Sequence, residues 1–269
     1  MNKDIVYKVV VDPSHSFDDV WNLFEMAGVE ILYGTEEEEC HEFFIRHDDQ
    51  QTLQSCQWVK SCEPYTIPQT DWERQWELHG HAFRDGFVNI DVSSFGKNGP
   101  EVRLIPGAGF GDLSHPTTQL MIELLSSYIE DHVVIDIGCG SGVLTFVALA
   151  MGARFAYGID IDPEAIAHSV QNARLNLLEG RSRFFLPEDF RWEKSPQEVL
   201  ILMNMIQSEQ EAAWEALRSL HRQRAIVITS GIRSEEKAHY FKAMEKRGWK
   251  LQEDKEKDGW SAAVYSSTW

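Results

Sequence analysis

Paired cysteines, membrane-length apolar runs, internal repeats and an excess of basic charge are all missing from this sequence of 269 residues. Its four cysteines, Cys40, Cys56, Cys62 and Cys139, never form a C-x-x-C pair, and no short Cys/His array has zinc spacing. A zinc module is therefore excluded, no metal site is expected, and free thiols in a reducing compartment are. No window approaches the roughly 20 apolar residues of a membrane span. The leading MNKDIVYKVVVDP stretch has no signal-peptide core. The expectation is a soluble cytoplasmic protein without a membrane partner.

Basic residues number 25 against 43 acidic ones, a formal charge of −18. Phosphate-led nucleic-acid binding draws on clustered Lys and Arg, so direct nucleic-acid readout is not expected, whereas a basic partner is. Hydrophobic residues make up 43% of the chain, enough for a sizeable core. The length fits one large or two modest domains.

Two textures divide the chain. In the first, Ile5 to Val11 reads as a strand ended by Asp12-Pro13. Phe17, Val20, Trp21, Phe24 and Ala27 recur at helical spacing, with Gly28 as the stop. Val29 to Tyr33 and His41 to Arg46 read as strands around an acidic turn. This β-α-β-β order predicts a small, abbreviated α+β module over residues 1–66. Pro64 and Pro68 mark a break. A connector helix is then predicted within 67–83, with Thr70 as N-cap and Glu73 at the capping-box position. Trp72 and Trp76 read as packing residues.

The remainder, 84–269, opens with strands at Phe87 to Val92 and Val102 to Ile105, then alternates helix and strand. A helix follows Pro116, and strands are predicted at Val133 to Ile137, Phe155 to Asp160, Val199 to Met203 and Ala225 to Thr229. A terminal hairpin turns through Lys255 to Gly259. Alternation of this kind predicts a parallel sheet covered on both faces.

The strongest motif joins the first strand of that series to an apolar helix: Asp136-Ile137-Gly138-Cys139-Gly140-Ser141-Gly142. Glycines there let backbone approach a ligand and present N–H groups at a helix start. The G-x-G-x-G spacing differs from the dinucleotide G-x-G-x-x-G. Asp160 follows 22 residues after Gly138, at the end of the next strand, where a carboxylate accepts ribose hydroxyls. Together they point to a nucleoside-containing ligand, with Asp136 either contacting it or anchoring the loop's amides.

This pattern resembles the class I S-adenosylmethionine-dependent methyltransferases. The segments Pro106-Gly107-Ala108-Gly109-Phe110-Gly111, Ser114-His115-Pro116-Thr117-Thr118, Met203-Asn204-Met205-Ile206, Ser230-Gly231-Ile232 and Gly259-Trp260, with Asp71-Trp72-Glu73, narrow it. As an ensemble they resemble the bacterial ribosomal protein L11 methyltransferase family, from about Thr70 to the C-terminus. The resemblance implies a seven-stranded Rossmann-like methyltransferase domain behind a small ferredoxin-like substrate-recognition domain. It implies N-methylation of lysine and α-amino groups on a basic large-subunit ribosomal protein, with S-adenosyl-L-methionine as cofactor.

By that resemblance Thr118, Gly138, Asp160 and Asn204 contact the cofactor, with Gly140, Gly142 and Asp136 in the same loop. Asn204 lies by the transfer site. His115 is a candidate base, with a structural role at the helix start as the alternative. Asp189 is a candidate for the adenine amino group, or else a solvated loop carboxylate. The chain departs from the family at Gly111-Asp112-Leu113-Ser114, where Gly-Thr-Gly-Thr is usual, and in the polar Gln207-Ser208-Glu209. Another protein or small-molecule acceptor, or a cofactor-binding scaffold with little activity, therefore stay open as alternatives. The oligomeric state is not set by the sequence, and a monomer is the default expectation.

Overall fold

The computed structural model describes residues 6–26, 29–36, 40–46, 58–65, 83–107, 113, 115–193 and 195–267. The chain divides into two compact units, Met1–Thr70 and Asp71–Trp269.

The first unit is a sheet of β1 (Val6–Val11), β2 (Glu30–Glu36), β3 (His41–Arg46) and β4 (Val59–Tyr65), in the order β2-β3-β1-β4. Every pair is antiparallel. Helix α1 (Phe17–Met26) brings Val20 and Phe24 onto one face, against Tyr7, Val9, Val11, Phe43 and Ile45. Strand β4 differs from the sequence expectation, which placed a break at Pro64. Pro64 lies inside β4, and β4 is an edge strand, where a missing N–H costs no ladder bond. The predicted connector helix falls outside the described residues, except that Phe83 begins a strand.

The second unit opens with a small antiparallel sheet of β5 (Phe83–Arg84), β6 (Phe87–Ile90) and β7 (Val102–Leu104). Val92 leaves the strand expected for it. The Asp91 carboxylate accepts the Ser93 N–H at 2.8 Å and starts a 3-10 turn instead.

Next come α2 (Pro116–Tyr128), β8 (Val133–Ile137), α3 (Val143–Ala150), β9 (Phe155–Ile159), α4 (Pro163–Leu175) and β10 (Ser182–Phe185). They are followed by β11 (Val199–Asn204), α5 (Gln207–Ala216), β12 (Ala225–Arg233), α6 (Lys237–Lys246), β13 (Trp249–Lys257) and β14 (Trp260–Ser267).

The seven strands run β10-β9-β8-β11-β12-β14-β13, parallel except for β14, which is antiparallel to both neighbours. The terminal hairpin is tighter than expected: β13 continues to Lys257, and only Asp258-Gly259 turn, both at positive φ.

Alternation along β11 shows why both faces are covered. Leu200 and Leu202 pack with Leu124 and Phe146 on one side. Val199, Ile201 and Met203 pack with Trp214 and Tyr240 on the other. Helix α3 is buried along its whole length, as its apolar sequence demands, its one polar side chain, Thr145, being bonded to Asp136. The strand order reverses between β8 and β11, and a crevice opens at the carboxyl ends of strands flanking such a point.

Candidate active site

At that reversal lies a cleft of about 640 Å³. The glycine loop leaves β8 and ends at Gly142, the N-cap of α3, with φ 83°. Asp136, one turn of chain before it, is 1% exposed. Its Oδ2 accepts the Thr145 N–H at 3.0 Å and the Thr145 hydroxyl at 2.7 Å. Burial raises this carboxyl to about 7 against those two bonds, and the nearby Asp160 charge adds to the rise. Asp136 thus anchors the first turn of α3 while bordering the cleft.

Asp160 stands at the end of β9. One of its oxygens accepts the Gly140 N–H at 2.9 Å and the other the Asp162 N–H at 3.0 Å. Helix α4 supports the loop from behind. The Ser169 hydroxyl donates to the Gly140 carbonyl at 2.8 Å, and the Asn172 amide donates to the Ser141 carbonyl at 2.9 Å. The same Asn172 accepts the Ile105 N–H at 2.8 Å, which ties β7 to the loop.

Asn204 ends β11 and borders the cleft. Beside it, Met205 fills the gap between two glycines. A Cβ on Gly138 would lie 2.2 Å from the Met205 Cε, and one on Gly231 would lie 2.3 Å from the Met205 carbonyl oxygen. Gly231, at φ 91°, sits in an irregularity of β12 where the register against β14 shifts.

His115 is the N-cap of α2. Its Nδ1 accepts the Thr117 N–H at 3.3 Å and is 2.8 Å from the Thr117 hydroxyl, so that lone pair serves the cap. The ring meets Trp260 edge-on at 5.1 Å.

Six residues singled out in the sequence border this one cleft: His115, Asp136, Gly138, Gly140, Asp160 and Asn204. Three do not. Thr118 points into the core, fully buried, and its neighbour Thr117 borders the cleft instead. Gly142 lies behind the loop, against the Phe146 ring. Asp189 is exposed, in a turn whose Pro187 borders the cleft.

The structure adds Met205, Ile206, Glu209 and Trp260. Met205 and Ile206 lie in the segment that carries the family resemblance, and Glu209 in the polar stretch Gln207-Ser208-Glu209 that departs from it. Trp260 comes from the opposite end of the domain, and only the strand order brings it here. Among the described residues, the charged side chains bordering the cleft are Asp136, Asp160 and Glu209, without a Lys or Arg. Among the described residues no group of His, Cys, Asp and Glu has a metal-holding arrangement. No described helix is long and apolar enough to cross a membrane.

Comparison with known proteins agrees with this architecture. A solved structure of a ribosomal protein L11 methylase from Lactobacillus delbrueckii subsp. bulgaricus shares the fold, with a TM-score of 0.51 at 23% identity, over 66% of this chain and 98% of that one. A ribosomal protein L11 methyltransferase of Pasteurella multocida is 36% identical over 67% of this chain and 64% of its own length. A second, from Glaesserella parasuis, is 34% identical over 78% of this chain and 73% of its own. The chain thus spans somewhat under two thirds of the first relative and more of the second. The family model "Ribosomal protein L11 methyltransferase (PrmA)" matches residues 9–268. With the glycine loop, Asp160 and Asn204 converging on one cleft across that whole span, the chain belongs to the ribosomal protein L11 methyltransferase family.

Proposed function

We propose that this protein is a cytoplasmic, S-adenosylmethionine-dependent N-methyltransferase that methylates lysine and α-amino groups of ribosomal protein L11. One observation carries the reading: a glycine loop, a carboxylate bonded to it and a strand-end asparagine border the same cleft.

The residues present fit the cofactor. Among the described residues bordering the cleft, the acidic side chains are carboxyls and no Lys or Arg is present, which suits a cationic sulfonium. Asp160 stands where ribose hydroxyls are accepted. Ile161 and Ile206 are 82% and 52% exposed at the cleft's edge, an apolar pair that a flat aromatic base would cover. Asp160, Gly138 and Gly140 would hold the nucleoside part. Bound there, S-adenosylmethionine supplies an already activated methyl group.

The protein's own task is then alignment and exclusion of water. An acceptor ammonium desolvated between apolar walls and beside a positive charge loses its proton more readily. Asn204 offers an amide oxygen to accept an acceptor N–H and orient the nitrogen lone pair. His115 holds α2 in register rather than taking a proton, because its Nδ1 already accepts the Thr117 N–H.

Incubation with labelled S-adenosylmethionine and ribosomes lacking this modification tests the reading. Label on L11 is expected; label elsewhere or nowhere overturns it.

A further inference from the structure

Arg233 ends β12 and Trp260 begins β14, and the two are direct cross-strand partners. The Arg233 guanidinium carbon lies 4.5 Å from the centroid of the Trp260 ring, within cation–π range. This pairing exists because the register shifts between Thr229 and Ile232. A one-residue slip turns a strand's side chains to the opposite face, and bulges near binding sites re-aim side chains in this way. Ser230 and Gly231 lie inside the irregularity, and Gly231 packs on the Met205 backbone next to Asn204. One irregularity therefore sets both the seat of Asn204 and the partner of Trp260.

The chemistry around the pair is uneven. Trp260 borders the cleft, whereas Arg233 does not and is exposed. Nearby cations are committed elsewhere: Lys237 to Asp254 and Glu256, and Lys257 to Gln119. Arg233 makes no ion pair among the described residues, and its guanidinium lies over the indole. His115 meets the same ring, so Trp260 is gripped from α2 and from β12.

We propose that Arg233 is a positioning residue for the acceptor amine, holding the Trp260 indole as the wall of the transfer site. The proposal rests on the methyltransferase reading above. Arg233 acts through Trp260, so its loss is felt by the acceptor and not by the nucleoside, which Asp160 and the glycine loop serve.

The test uses the full-length protein labelled with 5-fluorotryptophan. The Trp260→Phe variant identifies the Trp260 fluorine resonance. Arg233→Met, which keeps an aliphatic stem, is expected to move that resonance, and Arg233→Lys to leave it near its original place. In methyl transfer to L11, Arg233→Met should lower kcat/KM for the acceptor about two- to five-fold, the effect of an exposed cation–π contact. Arg233→Lys should restore most of it, and the Kd for S-adenosylhomocysteine should be unchanged. In a Trp260→Leu background, which has no ring face to hold a cation, Arg233→Met should have no further effect. An unmoved resonance, or an equal loss in that background, overturns the proposal even when the wild-type protein is active. A wild-type protein that labels no L11 overturns the functional reading, and the acceptor role with it; the resonance still decides whether Arg233 holds Trp260.

Discussion

Asp160 accepts the backbone N–H of Gly140 at 2.9 Å, joining the end of β9 to the loop that leaves β8. The carboxylate proposed to accept a ribose is thus also a strut of the glycine loop. Asp160→Ala should weaken binding of S-adenosylhomocysteine by roughly 1.5–3 kcal/mol, the range for a hydrogen bond to a charged group. The partial exposure of Asp160 places the expectation at the lower end. Asp160→Asn keeps an acceptor for Gly140 and should lose less. Titration calorimetry distinguishes the two, and equal affinity in wild type and Asp160→Ala would sink the ribose assignment.

Asp136 predicts a pH dependence of stability. Burial raises its carboxyl to about 7 from an ordinary 3.8. Between those values the folded protein holds a proton that the unfolded chain has lost, so this group's contribution falls as pH rises from about 4 to about 7. The change is on the order of a few kcal/mol. Asp136→Asn, an uncharged near-isostere, should flatten that part of the stability curve and be at least as stable as wild type near pH 7. Urea unfolding at intervals across this window checks it. An unchanged slope in Asp136→Asn would show that other groups set it.

Much of this was legible in sequence, and what was not has particular causes. The β8-loop-α3 unit could be read because Val133 to Ala150 combines a buried strand, left-handed glycines and a largely apolar helix, each with its own local signature. Strand β4 was hidden because Pro64 is a breaker everywhere except on an edge, and edge position is a property of the sheet. Thr117 and Thr118 are adjacent, and only the packing of α2 decides which of them faces the cleft. Gly259-Trp260 was visible by resemblance, but that Trp260 borders the same cleft as Asn204 depends on the insertion of β14 beside β12, a long-range pairing.

The end of α4 carries a backbone cost that can be removed. Leu178 donates its N–H to the Ala173 carbonyl at 2.8 Å, and Leu177 donates to Arg174 at 3.1 Å, the pattern of a Schellman cap. That cap requires a left-handed residue, and here it is Leu177, at φ 57° and 87% exposed. A leucine there pays the Cβ penalty and buries nothing in return. Leu177→Gly should stabilise the protein by about 1 kcal/mol, part of the gain being offset by the freer unfolded chain. Thermal unfolding should shift upward by about 2–4 °C. A downward shift would show that this leucine makes contacts worth more than its strain.

The two glycines against Met205 should respond differently to alanine. Both have positive φ, so each substitution costs roughly 1–2 kcal/mol from the backbone alone. At Gly138 the further contact is with the Met205 Cε, the far end of a flexible side chain that can swing aside. At Gly231 it is with the Met205 carbonyl oxygen and backbone nitrogen, which move only if the end of β11 moves. Gly231→Ala should therefore destabilise more, by at least about 2 kcal/mol, and lower kcat by displacing Asn204. A background of Met205→Ala makes the contrast sharp. It should relieve the steric part of Gly138→Ala and leave Gly231→Ala as damaging as before, because truncating the side chain removes Cε and keeps the backbone. Melting temperatures of the two glycine variants, Met205→Ala and the two double variants decide it: equal relief at both glycines would mean that Met205 is held by its side chain and not by the strand it follows.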